Sequence, residues 1–200
     1  MDIIEIKRKL AELDEHGSDW DVYGFLRSVW NERKDAAVAF LVVDEMLDLL
    51  MWMSEERAMK YVSAKEEGLY REFFEEVADF GYENCLNDKL FLWKMAYICR
   101  GYTTYYFIIN TSFCKNCTGD EEYERLMAIA DNLYPKSMMF KLIPSVSSAN
   151  WTWVDRLTAS ECRRLYDELQ ELNLQNNYSD DQIKDSFMME KLKEKLFNNQ

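Results

Sequence analysis

Acidic side chains are the residues of this chain whose spacing could do chemistry. Glu72, Glu75, Glu76, Asp79 and Glu83 fall within about three turns of one helical pattern. Steps of three and four put Glu72, Glu76, Asp79 and Glu83 on one face, while Tyr70, Phe73, Phe74, Val77 and Phe80 share the other side. Like charges one turn apart repel by roughly 0.2–0.5 kcal/mol a pair. Three uses suit such a stripe: a solvated outer face, a docking stripe for a basic partner, or part of a cation site. For the last, Glu45-x-x-Asp48 in an otherwise apolar stretch would join Glu72-x-x-Glu75, about two dozen residues on. Four carboxylates from two helices are the hard oxygen donors that a hydrated magnesium ion takes.

Other chemistries are closed off by what the chain lacks. His16 is its one histidine, beside the helix-ending Gly17-Ser18, so a Ser-His-Asp or Cys-His scheme has nowhere else to turn. The spacing predicts His16 as an exposed residue at a helix C-terminus, where the dipole favours it. Paired Glu-x-x-His motifs and glycine-rich phosphate loops are absent from the sequence. Cys114-x-x-Cys117 is a lone pair among five cysteines, with no further ligands near it to complete a zinc site. Two ordinary, partly buried, reduced thiols are the reading. No catalytic residue and no cofactor is expected.

Aromatic residues give a second hint. Asp19-Trp20-Asp21 joins a tryptophan to two acids, and Tyr102, Tyr105 and Tyr106 crowd another short stretch. Tryptophan and tyrosine are favoured anchors at interfaces, and neighbouring acids add orientation. In a helical protein the same residues also serve as core.

The elements that must position these groups are helices. Six glycines and two prolines in 200 residues leave little material for many turns, and 48% hydrophobic residues argue against disorder. The reading is all-α, about nine helices packed as antiparallel hairpins in one compact or short solenoid-like domain over residues 1–200. Asp2 with Glu5 opens the first helix, with Ile3, Ile6, Leu10 and Leu13 on one face. Val22, Phe25, Leu26, Val29 and Trp30 mark the second, and residues 35–53 a central, largely apolar third. Ser54 is a cap for a fourth carrying Ala58, Tyr61 and Val62 and ending before Gly68; the aromatic helix that follows stops at Gly81. A helix over 88–100 precedes 102–113, which is β-branched and aromatic but set between helices and read as helix. Residues 120–133 form the next. Both prolines and four serines make 135–157 the irregular segment or hinge. Thr158-x-x-Glu161 is a capping box for a helix burying Cys162, Leu165, Leu169 and Leu172, and Ser179 opens the last, with Ile183, Phe187, Leu192 and Leu196 inward.

Net charge is −13, and residues 1–100 carry 13 basic against 22 acidic groups where residues 101–200 carry 11 against 15. Such a field repels nucleic-acid phosphates and anionic membranes and speeds encounter with basic proteins. Residues 36–53 are apolar enough to suggest a span, but Asp44, Glu45 and Asp48 exclude one. The opening Met1-Asp2-Ile3-Ile4-Glu5 has no basic stretch leading into an apolar one, so the expected location is the cytoplasm.

Three resemblances follow from these residues. Trp93, Ala96, Ala130 and the terminal Pro135 resemble a tetratricopeptide-like helical unit over about a quarter of the chain, with Tyr97 where such repeats want a small residue. That implies stacked helical hairpins and a protein-binding role, a secretion chaperone among them. In general character the chain is similar to bacterial toxin-immunity proteins, which implies an acidic inhibitor of a basic toxin. The Glu45/Asp48 and Glu72/Glu75 pairs look like a loose form of the motifs of all-α nucleoside triphosphate pyrophosphatases, although their order differs and no basic cluster awaits the triphosphate. The leading expectation is a non-enzymatic module that neutralises or chaperones a basic protein through Glu72, Glu76, Asp79, Glu83, Asp19, Trp20 and Asp21. The magnesium-dependent pyrophosphatase is its rival.

Overall fold

A computed structural model describes residues 1–54, 64–101, 111–112, 118–146, 152–176 and 187–197. Among them the chain is all-α, with eleven helices and no strand. Residue contacts divide it into two compact units, 1–126 and 127–200. The division falls inside a helix, so no Gly-, Pro- or Ser-rich linker marks it in the sequence, which had been read as a single domain.

In the first unit, α1 (Ile3–His16) starts where the Asp2 carboxylate accepts from the Glu5 N–H at 2.9 Å. It buries Ile6 and Leu10 and packs on α2 (Asp19–Glu32), whose Val22, Leu26, Val29 and Trp30 are buried. The Asp35 carboxylate caps α3 (Ala36–Ser54), accepting from the Ala37 and Val38 N–H groups at 3.1 Å. As its apolar circumference predicted, α3 is central: residues 38–44 are all buried, and it packs on α2, α4 and α5. Burial takes in Asp44, which accepts a hydrogen bond from the equally buried Lys94 of α5 (Lys89–Gly101). Burial pushes the Asp44 carboxyl up, and the Lys94 ammonium pulls it partly back. A desolvated pair of this kind fixes how two helices register more than it stabilises them.

Helix α4 (Ala64–Asn84) differs from the sequence reading in one respect that matters for the site. Two helices were expected, broken at Gly68 and stopped at Gly81; one helix runs through both glycines. Residues 55–63, including Ala58, Tyr61 and Val62, lie outside the described residues. Gly68 is part of the helical surface, where a Cβ would meet nothing within 4 Å. Gly81 is buried, and a Cβ there would stand 2.2 Å from Cζ of Phe91. It is a glycine because the Phe91 ring of α5 presses on that point of α4, a packing reason that mimics a stop signal. The helix ends three residues on, with the Asn84 amide donating to the Phe80 carbonyl at 2.7 Å. Beyond α5, α6 (Gly119–Leu133) opens on a capping box between Thr118 and Glu121. Residues 102–110 and 113, on which the helix-or-strand question turned, lie outside the described residues, as do Cys114 and Cys117. Cys85, Cys99 and Cys162 are buried free thiols.

The second unit holds the stretch expected to be irregular. It contains three one-turn helices: α7 (Met138–Lys141), α8 (Ile143–Val146) and α9 (Trp153–Arg156). Around them lie α10 (Ala159–Asn176), opened by the expected Thr158–Glu161 box and burying Cys162, Leu165, Leu169 and Leu172, and α11 (Met189–Phe197). Phe187 is buried, as the apolar pattern required, but it sits in a turn with Met188 at a φ of 50°. The continuous helix expected from Ser179 is therefore interrupted just before Met189; residues 177–186 lie outside the described residues. No helix among the described residues is long and apolar enough to cross a membrane.

Candidate functional site

Helix α2 begins with a capping box that fixes the direction of its first side chains. Ser18 Oγ accepts from the Asp21 N–H at 3.3 Å, and the Asp21 carboxylate accepts from the Ser18 N–H at 2.9 Å. The bonds from Ser18 hold the Asp21 carboxyl below the usual range. Asp21 is thus engaged at the helix start, whereas Asp19 and Trp20 stand exposed.

Trp20 is the exposed end of an aromatic cluster between α2 and α4. Its ring is 46% exposed and stacks on Tyr23 one turn on, at 5.1 Å between centroids and 26° between planes. Tyr70 of α4 lies 6.1 Å from Trp20 and 5.0 Å from Tyr23, and Phe73 meets Tyr23 edge-on at 5.6 Å. The rings thus grade from buried Phe73 and Tyr70 through half-buried Tyr23 to Trp20 at the surface. An apolar stack that ends in an exposed tryptophan has the form of an interface anchor.

Negative charge is concentrated on this cluster. Asp19 precedes Tyr23 by four residues and Glu66 precedes Tyr70 by four, so both helices carry an acid one turn before a tyrosine. Burial pushes the Asp19 carboxyl up, and the neighbouring Asp14 adds to it. Tyr70 is pushed up to about 12, first by burial and then by Asp19, Glu66 and Tyr23. In both, burial is the larger cause and neighbouring negative charge adds to it.

The acidic face of α4 is divided. Glu72 and Glu83 are exposed, as a docking stripe requires. Glu76 is instead a clasp between α4 and α2: it accepts from Trp30 Nε1 at 2.9 Å and from Arg27, and Lys34 Nζ lies 3.8 Å away. Partial burial raises its carboxyl, but the hydrogen bonds from Arg27 and Trp30 and the charges of Arg27 and Lys34 bring it below the usual range. Asp79 accepts from the Ser112 N–H at 3.2 Å and from its hydroxyl. Two of the four residues expected to face a partner together are therefore engaged within the chain. Their spacing reported a common helix face, but not that α2 and residue 112 would reach it.

The alternative cation set is not assembled. Glu45 is half-buried, Asp48 exposed, and Glu75 lies 3.8 Å from Arg71. Among the described residues no three of His, Cys, Asp and Glu gather as a metal ion requires, Glu45, Asp48, Glu72 and Glu75 included. His16 is exposed in the last turn of α1, 3.7 Å from Glu15, where the sequence placed it.

Sequence reasoning singled out Asp19, Trp20 and Asp21 but not Tyr23, and it assigned Tyr70 to the core alone. The repeated acid-x-x-x-Tyr spacing, Asp19 to Tyr23 and Glu66 to Tyr70, is the signal that links them. Comparison of the chain with protein-family models, with curated proteins and with solved structures gives no match.

Proposed function

We propose that this protein is a non-enzymatic binding module that holds a basic protein partner on the α2–α4 surface of its first unit, neutralising or chaperoning it. The observation that carries this reading is Trp20: a tryptophan 46% exposed, backed by Tyr23 and Tyr70 and set among Asp14, Asp19 and Glu66. A half-exposed indole supported from behind loses little freedom on binding and offers a large contact area. The charge of the unit supports the same partner chemistry. Residues 1–126 carry 15 basic against 26 acidic residues, a net of −11. Exposed Glu72 and Glu83 extend the field along α4 and would speed encounter, while Trp20 would govern how long the complex lasts.

The test is capture from the host's lysate by three chains: wild type, Trp20→Ala, and Glu72→Lys combined with Glu83→Lys. The expected result is a basic protein held in one-to-one amount by the wild type, released by salt, held more weakly by the lysine variant and lost by Trp20→Ala. The captured protein's own activity, with and without this chain, then reads neutralisation directly. A partner held equally by all three chains and indifferent to salt would sink the proposal.

A further inference from the structure

Among the described residues four arginines lie over aromatic rings beside a carboxylate or another ring, Arg100 among them at 5.7 Å from the Tyr123 centroid and 3.0 Å from Asp120. Two lysines do so as well, Lys34 at 5.3 Å from Trp30 near Glu76 and Lys94 at 6.0 Å from Tyr97 beside Asp44. Arg27 lies 4.6 Å from the Phe73 centroid and donates to Glu76. Arg125 lies 4.9 Å from the Tyr82 centroid and donates to Glu122 at 2.8 Å. Arg163 lies 5.1 Å from the Phe197 centroid and 6.0 Å from that of Tyr166. Arg27 is next to the proposed site, on the same cluster of rings. A planar guanidinium suits this arrangement because its face meets the ring while its edge donates in plane to the carboxylate.

Trp20 and Asp19 present the same two parts without the cation. Tyr23 stacks on the indole and Tyr70 lies 6.1 Å from it, tilted by 43°, and Trp20 remains 46% exposed. Asp19 adjoins it, exposed, and its carboxyl is pushed up by partial desolvation and by the neighbouring Asp14, a penalty that an incoming cation relieves. Among the described residues no arginine or lysine stands over Trp20 or pairs with Asp19. The three rings are in mutual contact at 5.0–6.1 Å between centroids, with planes inclined by 26–52°, so they pack on one another instead of standing apart as a cage for a bulky ammonium group.

We infer that the partner presents an arginine to this surface, its guanidinium lying on the exposed part of the Trp20 ring and donating to the Asp19 carboxylate. This takes the basic-partner reading as its premise and narrows it from positive charge in general to one side chain. Lysine would satisfy the field of the unit as well as arginine does. It would match the flat indole and the neighbouring carboxylate less well, since a compact ammonium cannot stack and donate in plane together.

The experiment is an NMR titration of the full-length, nitrogen-labelled chain with two probes: a short peptide alternating glycine and arginine, and its lysine counterpart of equal length and charge. The Trp20 indole N–H signal is identified by its loss in Trp20→Phe. The arginine peptide is expected to bind about three- to five-fold more tightly and to move that signal. Trp20→Ala should lower its affinity to the lysine level, and Trp20→Phe, which keeps a ring, should retain part of the preference. Equal binding of the two peptides, lost in salt, would overturn the arginine inference and leave the basic-partner reading standing. Binding of neither would overturn both.

Discussion

The two units of this chain use their charged side chains for different work. The first has a net charge of −11, while the second holds 9 basic against 11 acidic residues, a net of −2. In the second unit the charges close the ends of short helices. Glu168 of α10 accepts from the Met138 and Met139 N–H groups at 2.7 and 3.3 Å and from the Ser137 hydroxyl, capping α7 from another helix. Lys195 of α11 donates to the carbonyls of Val154, Asp155 and Leu157 at 3.0, 2.9 and 2.6 Å, closing α9. A four-residue helix satisfies almost none of its own backbone groups, so such partners take the place of helix length. In the first unit the helices are longer, and Asp2, Ser18 and Asp35 cap α1, α2 and α3 from the residue before each helix. Short helices draw their caps from distant charges; long ones are capped locally.

The sharpest way to break this contrast is the one buried ion pair of the first unit described here. If Asp44 and Lys94 hold α3 on α5, Lys94→Met leaves a buried carboxyl without its hydrogen-bonding ammonium. Thermal or denaturant unfolding should show a loss of about 3–5 kcal/mol. Adding Asp44→Leu to that variant should recover most of it, since an apolar pair of similar volume avoids the desolvation cost. A single variant as stable as the wild type would mean that the pair contributes nothing.

In the second unit the corresponding lesion is smaller. Glu168→Ala removes an acceptor of two backbone N–H groups and a hydroxyl, a loss of about 2 kcal/mol by the scale of caps and weakened donors. Because α7 is local to residues 138–141, hydrogen exchange should speed there first while binding at Trp20 is unchanged. Loss of partner binding in this variant would undo the division of labour between the units.

How much of this was legible in the sequence depended on distance along the chain. The Thr158–Glu161 box, the Asp2 cap and the buried face of α10 were readable because each is written within one or two turns. Gly81 was misread because its cause, the Phe91 ring, comes from another helix and leaves no local trace. The partners of Glu76 and Asp79 leave no local trace for the same reason: Trp30 stands 46 residues away and Ser112 33. At the site, Trp20 and Asp19 could be named from composition alone, but Tyr70 joins them only once α2 lies beside α4.

The smallest effect separates an acid that holds the fold from acids that face a partner. Glu76 has its carboxyl below the usual range in the folded protein, so its stabilising contribution is complete above the unfolded value, about 4.3 for a glutamate, and fades as pH falls through and below it. Glu76→Gln should therefore lower the melting temperature modestly at neutral pH, and the gap to wild type should close on acidification. Partial exposure of Glu76 keeps the effect small, because solvent screens the Arg27 and Lys34 charges. Glu72→Gln and Glu83→Gln, at exposed positions of the same helix, should instead slow association with a basic partner. A melting curve for Glu76→Gln that tracks wild type at every pH would return Glu76 to the exposed stripe and widen the proposed surface by one carboxylate.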